Sequence, residues 1–224
     1  MGLSLRIIIS SVVGIAAFAA LLFVPAGTVN YWQGWAVLAV FTAASLGPTL
    51  FMVRIDPAAL ERRMQAGVKA ETRPVQKVVI AATFMAFAAI LVVPALDHRF
   101  GWSHVPAWLS VLGVVMVATG LGLTMLVVFQ NRYASATITV EEGQPLVSTG
   151  LYGFVRHPMY SGNVILMIGI SLGLGSYWAL LLVLVGVLLM AVRIVDEEKM
   201  LTEQLDGYLQ YPQKVRYRLV PLVW

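Results

Sequence analysis

The sequence contains no cysteine, which removes disulfides, thiolate metal sites, cysteine nucleophiles and palmitoylation and leaves the redox compartment open. Charge is scarce as well: Asp, Glu, Lys and Arg make up 12% of the 224 residues, about half the usual share of a soluble domain. With 59% hydrophobic residues, that shortage means a membrane protein. The net charge of +4 does not call for nucleic acid, because the basic residues fall in short links between apolar runs, where membrane orientation accounts for them. Histidine is rare too. His98 and His104, six apart beside Asp97, are read as interfacial residues, and no metal is expected.

What the chain does have is a series of apolar runs, each near the ~20 residues that span a bilayer as a helix. The first four lie at about Ile7–Val24, Trp35–Val53, Val78–Leu96 and Val105–Phe129. The first resembles a signal peptide, with Ala17-Phe18-Ala19 as a weak cleavage site, but is read as a retained helix of a bundle. Tyr31, Trp32 and Trp35 form an aromatic belt in an uncharged link. Gly47-Pro48 predicts a kink in the second span. The polar stretch Arg54 to Lys77 carries six basic residues, and Pro57 to Gln65 has the composition of a short amphipathic surface helix.

After a hydrophilic loop from Gln130 to Tyr160, Gly162 to Val192 is apolar for 31 residues. As one helix it would be roughly 46 Å long, well beyond a hydrocarbon core of about 30 Å. It is therefore expected to fold back at Gly173-Leu174-Gly175-Ser176, with Gly169 and Gly173 letting the two arms of the hairpin approach. Six segments with both termini cytoplasmic place 14 of the 15 Lys and Arg residues inside and only Arg99 outside. The expected fold is all-α: a polytopic transmembrane bundle in a single domain, residues 1–224, with N-terminal spans over 1–129 and a catalytic region over 130–224.

Chemistry concentrates in that last region. Pro158 suits the first turn of a helix, which sets Arg156 and His157 at its mouth, where free N–H groups favour an anionic ligand group. The last apolar helix runs into Arg193-Ile-Val-Asp196-Glu197-Glu198. Arg193 and Glu197, four apart, share a face, as a two-signed site or as a plain surface ion pair. The tail from Tyr208 to Pro221 alternates aromatic and basic with apolar residues, as a lid over the bundle or a membrane-surface anchor.

In this order, Gln144-Pro-Leu-Val-Ser-Thr-Gly-Leu-Tyr152, Arg156-His-Pro-Met-Tyr160, a glycine-split hairpin, Arg193 to Glu198 and Tyr211 to Pro221 resemble the isoprenylcysteine carboxyl methyltransferase family and its phospholipid methyltransferase relatives. The resemblance covers about the last 95 residues. It implies a membrane-embedded site for S-adenosylmethionine, and the chain has no glycine-rich dinucleotide fingerprint. By position, it implies that Gln144, Pro145, Leu146, Val147, Tyr152, His157, Pro158, Met159 and Tyr160 contact the cofactor, that Glu197 binds its polar end, and that Arg193 binds the substrate. Gln144 stands where many eukaryotic members have histidine. The implied activity is methyl transfer to a lipophilic or lipidated acceptor drawn from the membrane, first an isoprenylcysteine-like carboxylate, with phospholipid or amine N-methylation as an alternative. The Asp196-Glu197-Glu198-Lys199 run and tyrosine-rich tail also resemble NADPH-binding sterol reductases, and a non-enzymatic lipid- or partner-binding role stays open.

The acceptor changes what the residues must do. A carboxylate is ionised at neutral pH and needs only a cation such as Arg193 to hold it. An amine needs a base, for which Glu197 or Glu198 is the candidate.

Overall fold

The computed structural model describes residues 3–55, 57, 60, 67, 71, 73–134, 139–141 and 143–224. Among these there is no strand. Six long helices make the bundle: α1 (Leu3–Ala26), α2 (Trp32–Ile55), α3 (Pro74–Phe100), α4 (Ala107–Gln130), α5 (Pro158–Gly173) and α6 (Ala179–Gln204). Five are long and apolar enough to cross a membrane, and α5 is a shorter apolar helix. The protein is an all-α, multi-pass membrane protein. The surface helix expected over Pro57–Gln65 lies, apart from Pro57 and Leu60, outside the described residues.

Local chemistry sets the helix ends. Pro74 and Pro158 open α3 and α5 at positions where a missing N–H costs nothing. Gly101, in the left-handed region at φ +67°, closes α3, its N–H donating to the Asp97 carbonyl at 2.7 Å. Asp97 and His98 therefore belong to the last turn of α3, not to the link after it. The apolar run of 31 residues does fold back at 174–178. α2 continues through Pro48.

Phe18, Leu22, Val37, Leu38, Ile90, Leu91, Val117 and Ile170 form the main core between the helices. The tightest seam is α4 against α5, and it is built from glycine. A Cβ on Gly113 would stand 2.2 Å from the Gly173 nitrogen, one on Gly169 2.7 Å from the Val117 nitrogen, and one on Gly120 2.7 Å from the Gly162 carbonyl oxygen. Gly169 and Gly173 thus bring α5 onto α4, whereas the sequence reading paired them with the other arm of the hairpin. Close backbone approach is how membrane helices gain packing without a hydrophobic drive. Where α6 meets α5, Gly186 makes room for Met167.

The bundle has two polar ends. At one, Tyr31 donates to the Leu174 carbonyl at 2.5 Å and stacks on His98 with ring centres 4.1 Å apart. Buried Asp97 there accepts from Ser103 N and Oγ, both at 2.6 Å, and from Ser176 Oγ at 2.5 Å. These bonds bring the α5–α6 turn level with the other connections, so α5 traverses the bundle despite its 16 residues. Trp32, Trp35, Trp102, Trp108 and Trp178, all exposed, ring this end. The other end collects the charged residues of 71–77, 156–160, 193–198 and 216–218.

Candidate functional site

At the charged end a cleft of about 800 Å³, partly open to solvent, lies between the loop after α4, the start of α5, the end of α6 and the tail. Gln144, Pro145, Leu146, Val147, Tyr152, His157, Pro158, Met159, Tyr160 and Glu197 all line it, contributed by segments up to 53 residues apart. Arg193 is not among the lining residues and sits behind Tyr160.

The start of α5 is held by the tail. Arg156 N donates to the Tyr217 carbonyl and His157 N to the Arg218 carbonyl, each at 2.9 Å. Ser161 Oγ donates to the Leu219 carbonyl at 2.6 Å. The backbone N–H groups of Arg156 and His157, just before α5, are thus occupied by the chain itself. Arg156 Nη1 reaches the Val215 and Arg216 carbonyls at 2.8 and 2.7 Å. The tail is a strap as well as a cover.

Glu198 fastens this strap. Its Oε1 accepts from Arg156 Nε at 2.8 Å and lies 3.2 Å from His157 Nε2, and its Oε2 accepts from Arg218 Nε at 2.9 Å. With both oxygens committed to cations, Glu198 is poorly suited to take a proton. Of the two acids offered as bases, Glu197 is the one that lines the cleft.

Arg193 and Glu197 are joined through a tyrosine. The Tyr160 hydroxyl donates to Glu197 Oε2 at 2.7 Å and accepts from Arg193 Nε at 2.9 Å. Arg193 Nη1 continues to Glu71 Oε1 at 3.2 Å and Gln76 Oε1 at 3.0 Å. Gln76 Nε2 donates to Asp196 Oδ2 at 2.6 Å, and Arg73 pairs with the same carboxylate. The Arg193 side chain is only 9% exposed, so the simple surface-pair reading does not describe it. Glu71 and Gln76 were missed from the sequence because they come from just before α3 and from its first turn, more than 110 residues from Arg193.

The opposite wall is aromatic and apolar. Leu205, Tyr208, Tyr211 and Val215 pack with Val140, Leu146 and Leu201. The Tyr208 and Tyr211 rings meet edge-on at 5.7 Å, and Tyr211 donates to the Tyr152 carbonyl at 2.6 Å. Burial, then nearby carboxylate or tyrosinate charge, holds both phenols above their ordinary pKa, so they stay protonated. The Tyr208 hydroxyl is buried without a hydrogen-bond partner. The i, i+3 tyrosines were a legible signal, although the tail was read as a lid or a membrane-surface anchor.

A ligand matching this cleft is amphiphilic, with an aromatic or apolar body against Leu146, Leu201 and Tyr208 and a cationic or polar part against Glu197. A sulfonium nucleoside has that character, and the cleft's residues fit it. The fold and cleft together define a multi-pass membrane protein with a partly open cleft at its charged end. Residues 108–206 match the sequence model of the family described as phospholipid methyltransferase, so this region, which includes α4 to α6 and much of the cleft, carries the pattern of that membrane methyltransferase family. A comparison with curated proteins returned no match. Among solved structures, the eukaryotic intramembrane Ras methyltransferase, isoprenylcysteine carboxyl methyltransferase, is similar with a TM-score of 0.48 and 16% identity, over 100% of this chain and 88% of that one.

Proposed function

We propose that the protein is an S-adenosylmethionine-dependent methyltransferase acting on a lipophilic acceptor at the charged face of the membrane. The supporting observation is the convergence of ten residues from four separate segments on one cleft, with Glu197 and Tyr160 at its polar end. S-adenosylmethionine supplies a methyl group on a sulfonium, which needs a nucleophile brought into line rather than a covalent intermediate. Here Glu197 would face the ligand's positive part, Leu146, Val147 and Tyr208 would hold its flat body, and the strapped tail would exclude water. Met159 connects the cleft to a buried apolar cluster of Ile7, Met52, Leu60 and Val128.

The isoprenylcysteine-like carboxylate suggested by the resemblance needs a cation to hold it. Arg193 already faces Glu71, Gln76 and Tyr160, so the reading advanced here is the broader one, a lipophilic acceptor. We place both termini and the 130–160 loop on the cytoplasmic side on the distribution of Lys and Arg. A cysteine introduced at Ser148 is expected to resist membrane-impermeant thiol reagents applied from outside, and its labelling would overturn this orientation. Titration calorimetry is expected to detect S-adenosylhomocysteine binding to the purified protein. Thermal stabilisation by NADPH and by neither sulfur nucleoside would support the reductase reading instead.

A further inference from the structure

The tail bends back on itself after Arg218. Arg218 N and Leu219 N both donate to the Trp224 main-chain oxygen, at 2.8 and 3.0 Å, and Val223 N and Trp224 N donate to the Val220 carbonyl at 3.1 and 3.2 Å. The Arg218 guanidinium lies over the Trp224 ring, 5.1 Å from its centre. These bonds close residues 218–224 into a compact loop, yet its apolar side chains stand outward: Val220 is 48% exposed, Leu222 86% and Val223 78%. Leu222 is also, among the described residues, the one non-glycine residue with positive φ, at +69°. The left-handed region crowds a Cβ and is rare for a bulky residue. A glycine or an asparagine would fit that turn better, and in water Leu222 gains nothing from its own fold in return. Such an outlier points to a contact outside the chain.

The loop's position says what that contact is. The Leu219 carbonyl accepts from Ser161 Oγ at 2.6 Å, in the first turn of α5, and the Arg218 carbonyl accepts from His157 N at 2.9 Å. The loop therefore leaves the strap where α5 begins its apolar run. Tyr217 and Trp224, half-buried at its root, are residue types that gather at a membrane–water boundary. Lys214 and Arg216, exposed just before it, are drawn to the anionic surface of a leaflet. An apolar tip, aromatic flanks and exposed cations are the layout of an element that lies in the headgroup region. We propose that the 218–224 loop inserts Val220, Leu222 and Val223 into the leaflet at the charged end, and that this insertion steadies the start of α5.

The loop is joined to the cleft through its first residue. Arg218 Nε donates to Glu198 Oε2 at 2.9 Å, Glu198 Oε1 holds Arg156 Nε at 2.8 Å, and the Arg218 carbonyl holds His157 N. His157 lines the cleft. With the tip in lipid, Arg218 cannot swing away without withdrawing apolar side chains from the leaflet, which costs free energy in proportion to the apolar area returned to water. The strap then stays closed on the start of α5 for a larger share of the time. The insertion is independent of the ligand that the cleft takes.

The absence of cysteine from the chain makes a direct test simple. Leu222→Cys, and Glu203→Cys as a reference exposed near the end of α6, are labelled in the full chain with an environment-sensitive fluorophore and placed in nanodiscs of phosphatidylcholine and phosphatidylglycerol. The label at 222 is expected to emit at shorter wavelength, to lose most of its emission to lipids spin-labelled near the headgroup, and to respond little to aqueous iodide. The label at 203 is expected to respond in the opposite way. Equal quenching by iodide at both positions would overturn the insertion. Contact between labels on two copies in place of quenching by lipid would overturn it too, and would make a second copy the occupant. Hydrogen exchange at the Arg156 and His157 amides, measured in the same nanodiscs, tests the link to α5. Leu222→Asn suits the left-handed turn better than leucine but does not enter lipid, so exchange at these amides is expected to rise about tenfold. Unchanged or slower exchange, the result that relief of backbone strain alone would give, would overturn the steadying of α5.

Discussion

The two ends of the bundle each bury an acid, and they treat it differently. At the tryptophan-rich end, Asp97 has both oxygens filled by Ser103 and Ser176, and the bonds tie the α3–α4 link to the α5–α6 turn. At the charged end, Glu71 keeps one oxygen without a donor, and Glu197 turns toward a cleft. A fully bonded buried acid holds the fold together. Glu71, with one oxygen bonded and one not, stands behind Arg193 and does not tie two connections together in that way.

The largest expected effect comes from the charged end's own structural acid. Glu198→Gln leaves Arg156 and Arg218 facing an uncharged amide, and breaking a buried ion network by removing one partner costs about 3–5 kcal/mol. Thermal or denaturant unfolding in detergent should show that loss, together with easier proteolysis of the tail. A stability change below about 1 kcal/mol would mean that the strap is only a surface pairing.

Asp97→Asn should be next. It removes charge from three hydrogen bonds, and bonds to a charged group contribute about 1.5–3 kcal/mol each before compensation. A net loss of about 1–3 kcal/mol in unfolding is expected, with S-adenosylhomocysteine affinity unchanged. Weakened ligand binding in this variant would break the separation of the two ends.

The smallest effect on stability, and the sharpest on ligand binding, is expected at the cleft. Glu197→Gln keeps its shape and its bond from Tyr160, so stability should change by less than about 1 kcal/mol, while affinity for S-adenosylmethionine falls about tenfold, or about 1.4 kcal/mol. Arg193→Lys keeps the charge but loses the planar fork that spans Tyr160, Glu71 and Gln76, so turnover should fall with cofactor affinity largely retained. Equal behaviour of the two variants in calorimetry and in turnover would show that they do not have separate roles.

Apolar runs, the helix-starting prolines at 74 and 158, the left-handed glycine after α3 and the folded-back last run are all local properties, so the helices and their order were legible from the sequence. The Gln144–Tyr160 pattern and Glu197 likewise marked residues that meet at the cleft, whereas Arg193 stands behind Tyr160. Tertiary structure alone decided the partners. Periodicity says which residues share a helix face but not which other helix supplies the counter-charge, so nothing local connects Glu71 to Arg193 or Arg73 to Asp196 across more than 120 residues. The same limit explains the glycines, whose spacing shows that a close approach is made but not to which neighbour, and the residues just before α5, where the N–H groups of Arg156 and His157 meet the tail because it folds back over them.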